Sequence, residues 1–382
     1  MLEAFIKLET ELPSLSEQEI IVAGPEKSSA YNLCKELGKV NLRFEQVDIN
    51  DSEALTDFLK QQDPLSIGFE IESVSTAGIK ATGKENLCKV STNILAMIQD
   101  KGLQKQWYAQ ERISTAPFRL YKDLDEVEAA ISQGELNLPC VAKSRTDGYD
   151  GRGVKLIRNK EDLAELKFKT GILIEKLIDI DKELAVIVVR DSSGKLISYP
   201  PVEMDFDEHN QLQALVTPAI GVSAQVLTEV ENTATEIAEK LEAEGILAIE
   251  FILSKSGKVY VNEMAPRTHN SGHHSIEAYN CSQFEQYMRV LLGLELQEIK
   301  AQAPAAAIYN IVGVTEFEGE AELDTSELDT DKAFTHWYRK SNRFNRKLGH
   351  LTLLGKDSKL SLTQAKELGT KIKIKPKSPV VS

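Results

Sequence analysis

A glycine-rich loop between two apolar strands constrains the fold of this chain more than any other feature. PCVAKS (139–144) and GVKLIR (153–158) are predicted strands, and DGYDGRGV (147–154) joins them. The glycine loop of a Walker or Rossmann motif joins a strand to a helix, so this loop belongs to neither class. Glycines bring backbone N–H groups close to phosphate oxygens, and Lys143 adds a positive charge at the end of the first strand. Taken alone, the pattern fits a phosphate-binding hairpin and a plain surface hairpin equally well.

Two glutamates on a predicted hairpin are the second informative feature. Strands around the turn SKSG would set Glu250 opposite Val261 and Glu263 opposite Ala248, as diagonal neighbours on one face about 7–8 Å apart at the backbone. Simple alternation turns Asn262 to the other face. Paired carboxylates suit Mg²⁺ that also binds nucleotide phosphates. Because Glu250 lies in an apolar strand, where an unpaired charge is costly, a metal role is favoured over a solvated strand face.

Two polar segments supply further candidates. APRTHNSGHHS follows the acidic strand and concentrates hydrogen-bond donors, namely Arg267, His269, Asn270, Ser271 and His273. These donors could hold a phosphate or carboxyphosphate, although a polar surface turn has a similar composition. RFNRKLGH carries Arg346 and Lys347 just before the last predicted strand, where they either clamp a substrate phosphate or lie on the surface.

Alternating strand and helix patterns predict a small parallel α/β domain at the N-terminus. Strands are predicted over 19–24, 43–48 and 67–71, with helices near 28–38 and 51–62. Beyond residue 95 the mixture of antiparallel strands and helices is an α+β pattern. The predicted domains are 1–95, 96–296 and 297–382.

The α+β part contains four further structural predictions. LAMIQDKGLQKQWYAQE is predicted to be helical, and a second helix covers 230–245, ended by Gly245. The acidic stretch 315–332 is predicted to be a loop, and HLTLL (350–354) to be the strand that closes the last domain.

Composition limits the class of protein. A chain of 382 residues is too long for one compact core, and its net charge of −14 argues against nucleic-acid or anionic-membrane partners. No apolar run reaches the ~18 residues of a membrane span, and MLEAFIKLETELPSLSEQE lacks the basic start of a secretory signal. The four cysteines show no metal-type spacing, so we predict buried thiols and a reducing compartment, the cytoplasm.

Taken in order, these segments resemble the ATP-grasp superfamily and, within it, the N5-carboxyaminoimidazole ribonucleotide synthetases. The resemblance covers about residues 40–360 and is carried by STAPF, KSRTDGYDGRGV, VNEMAPRTHNSGHHSIEA, SQFEQYMRVLLGL and HWYRKSNRFNRKLGHLTL, with FEIES (69–73) similar to the family's acidic segment. GYDGRG together with NEMAPRTHNSGH is specific to this family. The resemblance implies an N-terminal parallel α/β domain, a central ATP-grasp domain and a small C-terminal domain, a fold of mixed α/β and α+β class.

Residue roles follow from the resemblance by motif. The implied nucleotide contacts are Lys101, Lys143, Gly148, Tyr149, Gly151, Gly153, Glu175, Lys176, Leu177, Ile178, Glu183 and Asn262. The implied magnesium ligands are Glu250 and Glu263. The implied substrate contacts are Glu72, His269, Asn270, Ser271, Arg346 and Lys347, beside the catalytic candidates Asp150, Arg152, Arg267 and His273. Asp150 and His273 are the candidates for proton handling. Lys101 stands where the family often has an arginine, which keeps the charge but loses the planar fork.

The chain departs from the family at its front. The family opens with a strand and a loop of the form GGGQLGRM that wraps the substrate phosphate, whereas MLEAFIKL resembles the helix after that loop. We therefore expect either a truncated start at Met1 or the loss of the first strand, with an incomplete substrate-phosphate site and a sheet that lacks an inner strand.

The resemblance implies an activity and its alternatives. It implies carboxylation of aminoimidazole ribonucleotide with ATP and bicarbonate through carboxyphosphate, with Mg²⁺, by a cytoplasmic homodimer that binds neither nucleic acid nor membranes. Another ATP-grasp ligase that acts on a different amine is one alternative. A nucleotide-binding relative without catalysis is the other, because the front loop is absent.

Overall fold

The computed structural model describes most of the chain, in seven ranges. They are residues 1–25, 28–39, 41–146, 153–168, 170–207, 211–328 and 331–377. Within these ranges the chain forms eleven α-helices and seventeen β-strands.

The N-terminal region alternates helices with two of the three predicted strands. Its elements are α1 (Leu2–Glu11), β1 (Ile20–Gly24), α2 (Ser29–Leu37), β2 (Leu42–Gln46), α3 (Ser52–Lys60), α4 (Thr76–Lys80) and α5 (Thr92–Ile98). β1 and β2 pair in parallel, which confirms the parallel α/β character of this region. On α1, Leu2, Phe5 and Leu8 recur at helical spacing and are buried against Leu42 and Met288.

The strand predicted over 67–71 is wrong. Ile67 makes only an isolated bridge with Cys88, and the backbone bends from there to Glu72. The backbone N–H of Phe69 donates to the hydroxyl of Tyr287 at 2.8 Å instead of to a neighbouring strand. An apolar, alternating sequence pattern cannot show that a side chain from a distant helix satisfies this backbone group.

The central region contains most of the sheet structure. Its elements are α6 (Lys101–Gln110), β3 (Phe118–Tyr121), α7 (Leu124–Ser132), β4 (Cys140–Ser144), β5 (Val154–Ile157), β6 (Ile172–Lys176), β7 (Ile180–Arg190), β8 (Leu196–Ser198), β9 (Val202–Phe206), β10 (Leu212–Thr217), α8 (Ala224–Lys240), β11 (Gly245–Ser254), β12 (Val259–Ala265), α9 (Ser275–Ala278) and α10 (Gln283–Leu291). β3, β6, β4 and β5 form a four-stranded antiparallel sheet in that order. The predicted pair of strands on either side of the glycine-rich loop is confirmed as β4 and β5.

One helix prediction holds and another fails at the helix end. LAMIQDKGLQKQWYAQE is helical, as predicted, but is divided between α5 and α6, because Oδ1 of Asp100 accepts the backbone N–H of Gly102 and so caps a new helix. The helix expected to end at Gly245 ends at Lys240. Glu242 takes a φ of 49°, which ends the helix, and Gly245 is already the first residue of β11.

The C-terminal region adds strands to the central sheet. Its elements are β13 (Ala305–Val312), β14 (Ala321–Asp324), β15 (Ala333–Trp337), β16 (Lys347–Gly355), α11 (Ser358–Gly369) and β17 (Lys373–Pro376). The predicted loop 315–332 contains β14, and the strand expected to close the domain is followed by α11 and β17. Those two predictions are wrong. β14 and β17 lie far apart in sequence but pair with each other, and neither has a strong alternating pattern that would reveal a strand.

One large antiparallel sheet joins the central and C-terminal regions. Its strand order is β12-β11-β7-β9-β10-β13-β16-β15, with β8 beside β7. Helices α5, α6 and α8 pack on one face, and α9 and α10 pack on the other. The sheet continues across the predicted boundary at residues 296 and 297, and the domain limits stay a prediction. All four cysteines are buried free thiols, as predicted. No described helix combines the length and apolar character that a membrane crossing requires.

Candidate active site

The two predicted metal ligands face each other directly across β11 and β12. Glu250 pairs with Glu263, whereas Phe251 pairs with Val261, so the register shifts by one residue at Asn262. The predicted diagonal arrangement is therefore wrong, because a β-bulge inserts an extra residue into β12. The bulge also overturns the predicted orientation of Asn262, whose Nδ2 donates to Oε2 of Glu250 at 3.4 Å.

Lys143 connects the small sheet to this bulge. Its Nζ donates to Oδ1 of Asn262 at 2.9 Å and lies 2.7 Å from Oε2 of Glu175 on β6. Beside it, the backbone N–H of Ser144 donates to the carbonyl of Gly153 at 2.8 Å, where a φ of 80° favours glycine. The lysine of the glycine-rich hairpin and the two carboxylates therefore share one cleft between the two sheets.

A buried lysine that sequence reasoning missed completes the cluster. Lys105 on α6 is 2% exposed, and its Nζ lies 2.5 Å from Oε1 of Glu175 and 2.6 Å from Oγ1 of Thr115. Burial lowers the pKa of Lys105 to about 8, although Glu175 opposes this shift. The sequence did hold a signal, because Lys101 and Lys105 are four residues apart and so lie on one face of a helix.

Glu175 lies between two cations. Burial raises the pKa of this carboxyl group, but Lys143 and Lys105 outweigh burial, so the net pKa is lowered. Glu175 is therefore an ionised link between the two lysines, in addition to its predicted position in the nucleotide hinge.

The opposed glutamates differ in their charge environment. Lys101 forms a salt bridge with Oε2 of Glu263, and together with Lys143 it lowers the pKa of Glu263 against the effect of burial. The pKa of Glu250 is raised by burial and by the nearby carboxylates of Glu263 and Glu183. Burial and the neighbouring carboxylates thus disfavour the ionised form of Glu250.

The donor set of this cluster fits a magnesium ion that also binds phosphates. Glu250 and Glu263 offer carboxylate oxygens and Asn262 offers an amide oxygen, all hard ligands. Among the described residues, no group of three or more His, Cys, Asp or Glu side chains is arranged to hold a metal ion. Mg²⁺ commonly takes one or two protein carboxylates and completes its coordination with water and substrate phosphates, so the small donor set agrees with this mode.

The loop after β12 joins the N-terminal region to the cleft. Nη2 of Arg267 lies 2.8 Å from Oε1 of Glu72, whose carbonyl accepts Nε2 of Gln99 at 2.7 Å. Nε2 of His269 lies 3.5 Å from Oε1 of Glu250, next to the acid pair. The structure therefore brings Glu72, Arg267 and His269 to the same side of the cleft.

The remaining predicted substrate residues differ in their surroundings. The backbone N–H of Ser271 donates to Nδ1 of His269 at 3.3 Å, and Asn270 begins the short 3₁₀ turn at residues 270–272. Lys347 lies close enough to His273 to help lower its pKa. Arg346 differs, because its Nη1 donates to Oγ of Ser341 at 2.9 Å on an exposed turn.

Three aromatic groups near His273 were missed by sequence reasoning. The ring of His350 lies 5.0 Å from that of His273, and His336 stacks on His350 at 4.6 Å. Nδ1 of His350 is 2.7 Å from the hydroxyl of Tyr338. His336 and His350 are cross-strand partners on β15 and β16, a pairing that becomes visible only once the register is known.

The predicted nucleotide hinge follows β6. The backbone N–H of Lys176 donates to the carbonyl of Pro117 at 2.8 Å, and Leu177 and Ile178 continue the chain to β7. On β7, burial raises the pKa of Glu183. Five predicted loop residues lie outside the described residues: Gly148, Tyr149, Asp150, Gly151 and Arg152.

Sequence comparisons identify related proteins. The ATP-grasp domain family matches residues 106–284, and the phosphoribosylaminoimidazole carboxylase C-terminal domain family matches residues 306–364. The chain is 33% identical over 323 residues to the chloroplastic phosphoribosylaminoimidazole carboxylase of Vigna aconitifolia, covering 80% of this chain and 55% of the relative. It is 32% identical over 264 residues to the N5-carboxyaminoimidazole ribonucleotide synthase of Synechococcus elongatus, covering 68% of this chain and 66% of the relative.

Structural comparison agrees over nearly the whole chain. The crystal structure of N5-carboxyaminoimidazole ribonucleotide synthetase from Thermotoga maritima is similar with a TM-score of 0.82 and 29% identity, over 99% of this chain and 97% of that one. The chain spans 55% and 66% of the lengths of the two sequence relatives. Two domain families in the predicted order, together with these relatives and this structure, confirm the resemblance. The chain belongs to the ATP-grasp family, in the group of N5-carboxyaminoimidazole ribonucleotide synthetases.

Proposed function

We propose that the chain carboxylates 5-aminoimidazole ribonucleotide to N5-carboxyaminoimidazole ribonucleotide, with ATP and bicarbonate. The observation that carries this proposal is the contact of Lys143 with Asn262 in the bulge between Glu250 and Glu263. It joins the predicted phosphate-binding hairpin to the predicted pair of metal ligands. The family relationship then supplies the substrates.

The first step is phosphoryl transfer to bicarbonate. A bicarbonate oxygen attacks the γ-phosphorus of ATP, the bond from this phosphorus to the β,γ-bridging oxygen breaks, and carboxyphosphate and ADP form. Phosphoryl transfer depends mainly on positioning and charge neutralisation. Lys143 and the backbone N–H groups of the glycine loop would hold the phosphates, and Lys101 would add a charge beside Glu263.

Magnesium is part of this proposal. Glu250, Glu263 and Asn262 would hold it, and its charge would stabilise the negative charge on the transferring phosphoryl group. The position of Glu263 and Glu183 near Glu250 supports a cation here, because a cation would offset the repulsion between these carboxylates.

The second step transfers the carboxyl group to the substrate amine. The exocyclic nitrogen of aminoimidazole ribonucleotide attacks the carboxyl carbon of carboxyphosphate or of the CO2 that it releases, inorganic phosphate leaves, and the nitrogen loses a proton. Arg267, His269 and Lys347 would bind anionic oxygens near the amine, and Asp150 or His273 would handle the proton. Exclusion of water from the cleft matters because carboxyphosphate hydrolyses readily.

ADP release tests the substrates directly. Release should require ATP, bicarbonate and aminoimidazole ribonucleotide together, and omission of any one should leave only background. Equal ADP release without the ribonucleotide would remove the substrate assignment, while ATP binding without any turnover would favour a non-catalytic relative.

Two further predictions concern assembly and location, and the first of them rests on the family alone. A homodimer should appear in sedimentation equilibrium at twice the chain mass of 42.4 kDa. A cytoplasmic location agrees with four free buried cysteines. Cell fractionation should then recover the chain in the cytoplasmic fraction.

A further inference from the structure

Gln283 has a side-chain amide whose orientation is fixed by its backbone partners. It is the first residue of α10 and is fully buried. Its Oε1 accepts the backbone N–H of His269 at 3.0 Å, and its Nε2 donates to the carbonyl of His269 at 2.8 Å. An amide oxygen can only accept and an amide nitrogen can only donate, so the two bonds determine which end of the amide is nitrogen.

The second proton on this nitrogen determines the tautomer of His273. Nε2 of Gln283 lies 3.1 Å from Nδ1 of His273. Because the amide nitrogen has no lone pair to offer, Nδ1 must accept and therefore carries no proton. A neutral imidazole that accepts at Nδ1 holds its proton at Nε2.

The surroundings of His273 keep the ring neutral. Burial lowers its pKa well below the usual value, and nearby positive or histidine side chains lower it further. The groups that face the ring are His269 in the same loop, Phe284 on α10, His336 on β15, Tyr338 after β15, and Lys347 and His350 on β16. Among the described residues, Nε2 of His273 has no hydrogen-bond partner, so its N–H group is available to a ligand.

The local backbone is built to hold this amide. A Cβ atom at Gly272 would lie 2.5 Å from Oε1 of Gln283, so only glycine permits the close approach. The backbone N–H of Gln283 donates to Oγ of Ser275 at 2.9 Å, which ties the start of α10 to the loop. The amide is therefore unable to rotate without breaking several bonds.

We propose that Gln283 is a positioning residue that holds His273 as the neutral Nε2–H tautomer. In this tautomer His273 donates a hydrogen bond to an anionic oxygen of the substrate or of carboxyphosphate. In this arrangement the lone pair of His273 is occupied, and His273 does not remove the proton from the substrate amine. The inference rests on the proposed function for its ligand, and it leaves Asp150 as the base of the two candidates.

Histidine nitrogen NMR measures the tautomer directly. In the full chain labelled with ¹⁵N-histidine, the signal of His273, assigned by its loss in His273→Gln, should show an unprotonated Nδ1 and a protonated Nε2 near neutral pH. A protonated Nδ1 in the wild-type protein, whether as the other tautomer or as imidazolium, overturns the inference. This measurement needs no turnover, so it stands even if the carboxylation activity fails.

Gln283→Glu tests the cause of the tautomer. A carboxylate can only accept, so Nδ1 of His273 should become protonated in this variant. Gln286→Glu is the matched control, because Gln286 is equally buried on the same helix and its amide also bonds one backbone segment, at Gln297. An unchanged Nδ1 in Gln283→Glu, or the same change in both variants, overturns the positioning role.

Activity separates a donor from a base. Glutamine at position 273 keeps an N–H donor but cannot accept a proton at neutral pH, whereas leucine keeps neither. A hydrogen bond to a charged group corresponds to about 10- to 100-fold in kcat/KM. His273→Gln should therefore retain activity within about 10-fold, while His273→Leu loses about 10- to 100-fold. Equal, large losses of kcat in both variants, with a change in the pH profile, would identify a base and overturn the inference.

Discussion

Replacing Glu175 with glutamine tests the charge balance of the cleft. The change removes the carboxylate that lies between Lys105 and Lys143, whose side chains are only 3% and 10% exposed. Removal of one partner from a buried ion pair typically costs about 3–5 kcal/mol, because the remaining charge stays desolvated. We expect the free energy of unfolding of Glu175→Gln to be lower than that of the wild type by this amount near neutral pH.

The loss should shrink as the pH rises. Lys105 has a pKa of about 8 in the folded protein, against an ordinary value of 10.5, and without Glu175 it should fall further. Above the folded pKa the unfolded chain binds one proton more than the folded protein, so the free energy of unfolding rises with pH, by about 1.4 kcal/mol per unit. This rise begins at lower pH in the variant than in the wild type. The deficit of the variant is therefore largest at the acidic end and becomes constant above about pH 8.

Urea unfolding measures this difference. With an m value of about 3 kcal/mol/M, a loss of 3 kcal/mol moves the midpoint by about 1 M, and the series should be repeated near pH 6.5, 7.5 and 8.5. Asp179→Asn is the control, because Asp179 forms an exposed pair with Lys255 and should leave the midpoint unchanged. Equal midpoints for Glu175→Gln and wild type at the lowest pH, or a deficit that widens with pH, would refute the reasoning.

Two further changes address the metal pair and the substrate loop. Glu263→Gln should reduce ADP release at least about 100-fold, because it removes one of two opposed carboxylates. Glu244→Gln, at a distant salt bridge with Lys89, should retain wild-type release. Activity of Glu263→Gln at the wild-type rate would contradict the metal role. Gly272→Ala should lower stability by about 1–3 kcal/mol in thermal or urea unfolding, because the new Cβ would lie 2.5 Å from Oε1 of Gln283; an unchanged midpoint would show that this amide can move.

Local sequence patterns were sufficient for elements that bury apolar side chains against their neighbours. β7 contains a buried apolar run over 184–189, β11 is apolar along most of its length, and Ser282 caps α10 through a capping box with Glu285. Elements stabilised by distant partners could not be predicted in this way. The segment near Phe69 has an apolar pattern, but its backbone N–H bonds to Tyr287, 218 residues away.

The site shows the same division between local and non-local information. Motifs predicted Lys143, Glu250 and Glu263 as site residues, and the structure brings the three together around Asn262. The direct opposition of the two glutamates was not predicted, since a bulge changes the register without a distinctive residue at Asn262. Lys105 was missed because a lysine on a helix is usually solvated, and only the packing of α6 against β12 shows that it is buried.

The charges of the cleft imply that nucleotide and metal bind together. The described cluster contains the carboxylates Glu175, Glu183, Glu250 and Glu263 and the lysines Lys101, Lys105 and Lys143. Burial and the neighbouring carboxylates already disfavour the ionised form of Glu250, so a polyphosphate that enters alone adds further negative charge next to it. A divalent cation held by the acid pair would reduce both repulsions. Calorimetry should therefore find ATP binding at least about 10-fold tighter with Mg²⁺ than with a chelator, about 1.4 kcal/mol. Neutralising one acid by Glu250→Gln should reduce this difference, and an equal dependence on Mg²⁺ in wild type and variant would contradict the charge argument.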